Sequence, residues 1–178
     1  MKNKGQIPAR GTRTWGKNAQ VKISFGMIVS IILIIAFISI AFYVIGKFLG
    51  LQKQIQTGQF LDDLQFDIDK IWKSSQGSQE KEYVLPSRIE KVCFVDFNFS
   101  EKGQYFDKYN ELQKAYYGEE NLIFYPVGSG EGLDSIVIEH INLEKLIEKN
   151  NPQCFVNTGG KIKLTMSMDF GDSLVIIE

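Results

Sequence analysis

A chain of 178 residues with a formal net charge of −1 has room for one ordinary domain and an appendage. The near-neutral total hides a division: residues 1–22 hold six basic groups and no acidic one, whereas the part after Gly50 holds 13 basic against all 21 acidic residues, a net charge of −8. An acidic domain lacks the clustered Lys and Arg that phosphate backbones require, so nucleic acid is not an expected partner.

In chain order, the basic segment 1–22 (Lys2, Lys4, Arg10, Arg13, Lys17 and Lys22) reads as a tail or leader. Residues 23–45 then carry no charge, and Phe48 and Leu49 extend the apolar run past Lys47. Crossing about 30 Å of hydrocarbon takes roughly 20 helical residues, and a helix is how a single segment satisfies its own backbone in lipid. The reading is a transmembrane helix over 23–49. Six basic residues before it, against Lys47 and Lys53 just after it, put the N-terminus in the cytoplasm and the rest of the chain outside. A cleaved secretion signal fits less well, because its apolar region runs to roughly 7–15 residues with a small-x-small site beyond it. Here the one candidate, Ser39-Ile-Ala41, lies inside the run. Gly26 with Ser30 and Gly46 with Gly50 have the spacing that lets helices approach closely, and are candidate helix-packing positions. The alternative is that small residues are simply common in spans.

Residues 50–78 are expected to form an amphipathic helix and a loop. Leu61, Leu64, Ile68 and Ile71 recur at three- and four-residue steps with Trp72 beside them, while Asp62, Asp63, Asp67, Asp69 and Lys70 are placed on the opposite face. "SSQGSQ" (74–79) reads as the loop. An extracytoplasmic α+β domain follows over 79–178. "KEYVLP" and "RIEKVCFVDFNF" have strand character, with Cys93, Val95 and Phe97 on one face and Val92, Phe94 and Asp96 on the other. Residues 104–117 read as a helix with Tyr105, Tyr109, Leu112 and Tyr116 on one side. "NLIFYPV" and "DSIVIEHI" read as strands flanking a glycine-rich loop. "NLEKLIEKN" reads as a short helix capped by Asn142 and closed before Pro152. "KIKLTMSMDF" and "DSLVIIE" suggest a hairpin around Gly171. The expected arrangement is one antiparallel sheet packed by the helix at 60–74.

Cys93 and Cys154 each begin a Cys-Phe-Val stretch, and they are the chain's two cysteines. Outside the cytoplasm such a pair reads as a disulfide, with two buried free thiols as the alternative. Asn98-Phe99-Ser100 is a glycosylation sequon at a strand end, which makes Asn98 a candidate acceptor. Other signals carry less. "PVGSGEGLDS" is glycine-rich after a strand, but it lacks the Lys-Ser/Thr of a phosphate loop and precedes another strand. The lone His140 lies in a strand pattern with no ligand-set spacing, so no metal is expected. Asp62-Asp63 and Glu119-Glu120 read as solvated surface, with loose cation binding as the alternative. No catalytic set is assembled from one histidine and two paired cysteines, and no cofactor is expected.

A helix that is membrane-spanning in its first half and amphipathic in its second, ahead of an antiparallel α+β domain, resembles type IV pilins and pilin-like proteins. The stretches "FDIDKIW", "YVLPSRIEKVCFVDF", "ENLIFYP", "GLDSIVIEHINLEKL" and "GGKIKLTM" resemble archaeal membrane-anchored proteins of that build, over nearly the whole chain. The resemblance implies a pilin-like fold and brings no activity with it. It also implies a leader cut after Gly or Ala, which Lys17-Asn18-Ala19/Gln20-Val21 approaches, so Ala19 and Gln20 are the candidate cleavage pair. That site departs from the pattern in a charge one residue early, Lys22 at the third mature position, and Ser24 where many pilins place Glu. Lys4-Gly5/Gln6-Ile7 matches the cut but is followed by a long polar stretch.

The expected function is a single-pass, cell-surface structural or binding protein of pilin-like architecture, permanently anchored in the cell membrane. A processed filament subunit is the alternative within that architecture. A membrane-tethered enzyme is the alternative from another class, favoured by any cleft with converging polar side chains. The expected partners are membrane lipid and other pilin-like or cell-surface proteins.

Overall fold

The computed structural model describes residues 24–74 and 76–178. The basic tail, Lys22 and the candidate pair Ala19/Gln20 lie outside the described residues. The chain divides into two units, Met1–Tyr43 and Val44–Glu178, and helix α1, Phe25–Ser74, contributes to both. Over 25–46 the helix carries no charge, and its side chains are apolar on every face and exposed. Ser30 and Ser39 turn their hydroxyls back onto the carbonyls of Gly26 and Ile35, at 2.8 Å each. Both polar groups are thereby satisfied within the helix, as an apolar solvent demands.

Further along, α1 changes character. Thr57, Phe60, Leu61, Leu64, Asp67, Ile68 and Ile71 are buried, a spacing of threes and fours that winds one stripe along the helix. Two antiparallel sheets close on that stripe. The first has the order β1-β6-β7, from β1 (Gly77–Val84), β6 (Lys161–Met168) and β7 (Ile176–Ile177). The second has the order β4-β3-β2-β5, from β2 (Lys91–Phe94), β3 (Leu122–Tyr125), β4 (Ser135–Ile136) and β5 (Gln153–Val156). In β6 Ile162, Leu164, Met166 and Met168 point inward and are buried, while Lys161 and Lys163 are exposed. Strand β2 is apolar on both sides because both sides are covered. Val92 and Phe94 join the main core with α1, and Cys93 joins a second core with Val95, Tyr109, Leu112, Ile123 and Cys154. Phe60 ties the sheets together: its ring meets Tyr83 of β1 edge-on at 5.5 Å and Phe124 of β3 at 5.9 Å.

Several expectations are corrected. There are two sheets, not one. The expected loop 74–79 is partly strand, because Gly77, Ser78 and Gln79 pair with Met168, Ser167 and Met166, and pairing outweighs their weak strand preference. The expected helix 104–117 is broken: one α-turn, α2 (Tyr109–Leu112), lies between 3-10 turns at Phe106–Lys108 and Gln113–Ala115. Its predicted face nonetheless packs inward, with Tyr109 and Leu112 buried and Tyr105 and Tyr116 against them. The expected strand 134–141 stops at Ile136. Beyond it the Asn121 amide takes the place of a strand, donating to Ile138 O and accepting from Ile138 N, and His140 adopts φ +63° in a bend. Helix α3 (Leu143–Leu146) starts as predicted, with Asn142 accepting from Lys145 N.

The packing makes a sharp prediction for two neighbours on α1. Leu64 is 0% exposed and Phe66 is 67% exposed. Leu64→Ala should lower domain stability by about 3 kcal/mol, and Phe66→Ala by less than about 0.5 kcal/mol. Urea unfolding of the two variants in detergent is the measurement, and equal losses would contradict this orientation of the helix.

Candidate functional site

Two polar clusters hang on the domain half of α1. The first contains Asp67, which was expected on the solvent face. It is in fact 3% exposed and accepts from Lys81 Nζ at 2.5 Å and Tyr83 Oη at 2.8 Å. Its position explains this: residues 60, 64, 67 and 71 share one side of a 3.6-residue helix, so Asp67 has to enter the core. There it meets two donors carried on the inward face of β1. Burial first, and then the Asp67 bond, push the Tyr83 hydroxyl far above its ordinary pKa, so Tyr83 remains a proton donor at any working pH.

The second cluster centres on Asp69, two residues further along and on another side of the helix. Asp69 Oδ1 sits 2.9 Å from His140 Nδ1 and accepts from Gln65 Nε2 at 2.8 Å. The His140 ring stacks on Trp72, with centroids 3.7 Å apart and planes 11° from parallel. Trp72 Nε1 in turn donates to Ser173 O at 3.1 Å, and Gln65 Oε1 accepts from Glu139 N at 2.9 Å. Three successive turns of α1 thus grip the segments around residues 140 and 173. The His140 bond is the main reason that the Asp69 carboxyl lies below its ordinary value of 3.8; Gln65 and Lys73 add to this, and desolvation opposes it. An ionised Asp69 can only accept, so Nδ1 carries the ring hydrogen. Acid and imidazole are two parts of a hydrolytic triad. Among the described residues, however, no hydroxyl or thiol makes a hydrogen bond to this ring. The bonds from Gln65, Asp69 and Trp72 clasp those two segments to α1.

The cysteines face each other across β2 and β5 in register, with Cα atoms 4.0 Å and sulfurs 2.06 Å apart. Both are buried, and 61 residues separate them in the chain. The glycine-rich loop is held by bonds within itself and to Arg88. Gly130 N donates to Asp134 Oδ1 at 2.8 Å, Arg88 Nη2 donates to Gly128 O at 2.9 Å, and Arg88 pairs with Glu131. A Cβ at Gly130 would sit 2.6 Å from Leu133 O, so the turn needs glycine there. Glu120 likewise folds back to accept from the backbone N–H groups of Tyr117, Gly118 and Glu119. The Tyr117 bond leads in holding its carboxyl below the ordinary value.

Of the helix-packing candidates, Gly26 and Ser30 are joined by the hydroxyl-to-carbonyl bond already described, and the space beside Gly46 and Gly50 is open. Asn98 is exposed in a turn, and its amide donates to Asp96 Oδ1 at 2.9 Å. An open cavity of about 400 Å³ borders Trp72, Lys73, Met168, Asp172 and Ser173. Among the described residues no group of three or more His, Cys, Asp or Glu side chains is placed to hold a metal. Sequence reasoning missed the burial of Asp67 and the pairing of Asp69 with His140. The signals were present, in helical phase for the first and in the solitary histidine for the second. No family model matches the chain, and neither a curated protein nor a solved structure shows a match.

Two outcomes follow. Asp67→Ala should destabilise by about 2 kcal/mol, because Tyr83 loses its buried partner while Lys81 can turn to water; calorimetry of the variant beside wild type measures it. The Asp69 contribution is present above about pH 4 and is lost as pH falls through its depressed folded value. Asp69→Asn should therefore lose less thermal stability than wild type on acidification below about pH 4, and matching pH profiles would contradict the clasp.

Proposed function

We propose that the chain is a single-pass, membrane-anchored cell-surface protein of pilin-like build, structural or binding rather than catalytic. One observation supports this most directly. A single helix, Phe25–Ser74, is apolar and exposed on every side in its first half and supplies one face of a packed core in its second. Lipid is the solvent in which the first half is stable, so the helix acts as a permanent anchor whose other half is built into the domain. The charge asymmetry around the span favours a cytoplasmic N-terminus and an extracytoplasmic domain. A buried cysteine pair at bonding distance fits an oxidising compartment. Lipid is then the first partner, with other cell-surface proteins of similar build beside it.

A filament subunit is the second reading, and the outward side of α1 favours it. Phe48, Leu51, Ile55 and Phe66 are all at least half exposed, and their spacing sets them on one side of the helix, opposite the buried stripe. Copies of the chain would cover them. Against it, a cut between Ala19 and Gln20 would leave Lys22 near the start of the mature helix, at a cost if it is buried without a partner.

The anchored reading is tested by washing native membranes at alkaline pH and treating intact cells with protease. Retention in the bilayer and removal of the domain are the expected results. Release by the wash would overturn the anchor, and full protection would overturn the orientation. A mature N-terminus at Gln20 recovered in sheared filaments would favour the second reading. Non-reducing mass spectrometry should find Cys93 and Cys154 as one intramolecular link. By the loop-entropy estimate, reduction should lower stability by roughly 4 kcal/mol.

A further inference from the structure

We propose that Asn98 is an N-glycosylation site, presented by a loop whose backbone is held from beneath. The sequon Asn98-Phe99-Ser100 occupies the turn after β2, and all three side chains are exposed. The reason lies under the turn. Asn151 is 0% exposed, and its amide donates to the carbonyls of Asp96 (2.8 Å), Phe99 (3.2 Å) and Ser100 (3.3 Å) while its oxygen accepts from Asp96 N (3.2 Å). Tyr109 Oη adds bonds to Phe97 O (3.3 Å) and Phe99 O (2.8 Å). With its carbonyls drawn inward, the turn directs Asn98, Phe99 and Ser100 to solvent.

The Asn98 amide makes only local bonds, its backbone N–H and Nδ2 both donating to Asp96 Oδ1 at 2.8 and 2.9 Å. These belong to an exposed turn, so a transferase can displace the Nδ2 bond without opening the core. Phe99 is 51% exposed, and a sugar on its neighbour would shield that ring from water. The donor is a lipid-linked oligosaccharide. Nδ2 attacks the anomeric carbon, and a C–N bond forms as the C–O bond to the lipid phosphate breaks. The amide gives its proton to a base of the transferase, and the lipid phosphate leaves. The site rests on the extracytoplasmic orientation proposed above, because glycosylation at such sequons occurs on the exported side.

The experiment is mass spectrometry of the Asn98 peptide from protein isolated from its native membranes, run beside protease treatment of intact cells. The heavier peptide should carry whole sugar residues. The extra mass should vanish completely in Asn98→Gln and Ser100→Ala and persist in Ser100→Thr. An unmodified Asn98 on a domain that protease removes from intact cells overturns the site and leaves the extracytoplasmic orientation standing. An unmodified Asn98 on a protected domain overturns both.

Discussion

Both sheets depend on the apolar stripe of α1 that begins at Phe60. β4 and β7 are two residues long, and β2, β3 and β5 are four. Strands so short bury too little surface to hold a sheet together alone, and the eight-residue strands β1 and β6 set their buried side chains in the same core. They persist because Phe60, Leu64 and Ile68 give both sheets one core to close on. The helix in turn holds its phase because one side meets that core.

Much of this was legible in the sequence because periodicity is a local property. Leu61, Leu64, Ile68 and Ile71 announce their helix, and the run at Cys93 and Phe94 announces a strand, though not that both of its sides are covered. Asn142 marks the start of α3 with its side-chain chemistry. What was hidden depends on contacts between distant segments. Nothing in Gly77-Ser78-Gln79 suggests a strand until β6 lies beside it. The Asn121 amide replaces a strand at Ile138 by a bond no pattern encodes. Asp67 was misplaced because charge argues for water while helical phase argues for the core, and the phase prevailed once Lys81 and Tyr83 supplied donors.

The polar chemistry is largely turned inward. Asp67, Asp69, Glu120, Asn121 and Asn151 each hold backbone or side-chain donors of their own fold. Groups used in this way fix loops of irregular backbone, which this domain has in quantity.

The pairing of β1 with β6 also has a consequence in time. It joins Gly77 to Met168 and Val84 to Lys161, the first strand of the domain to nearly the last. A chain made N-terminus first has β1 complete long before its partner is made. Until β6 follows, β1 lacks its partner strand, and loop closure over that distance is slow. During this interval the growing chain carries an eight-residue strand with both edges open to water.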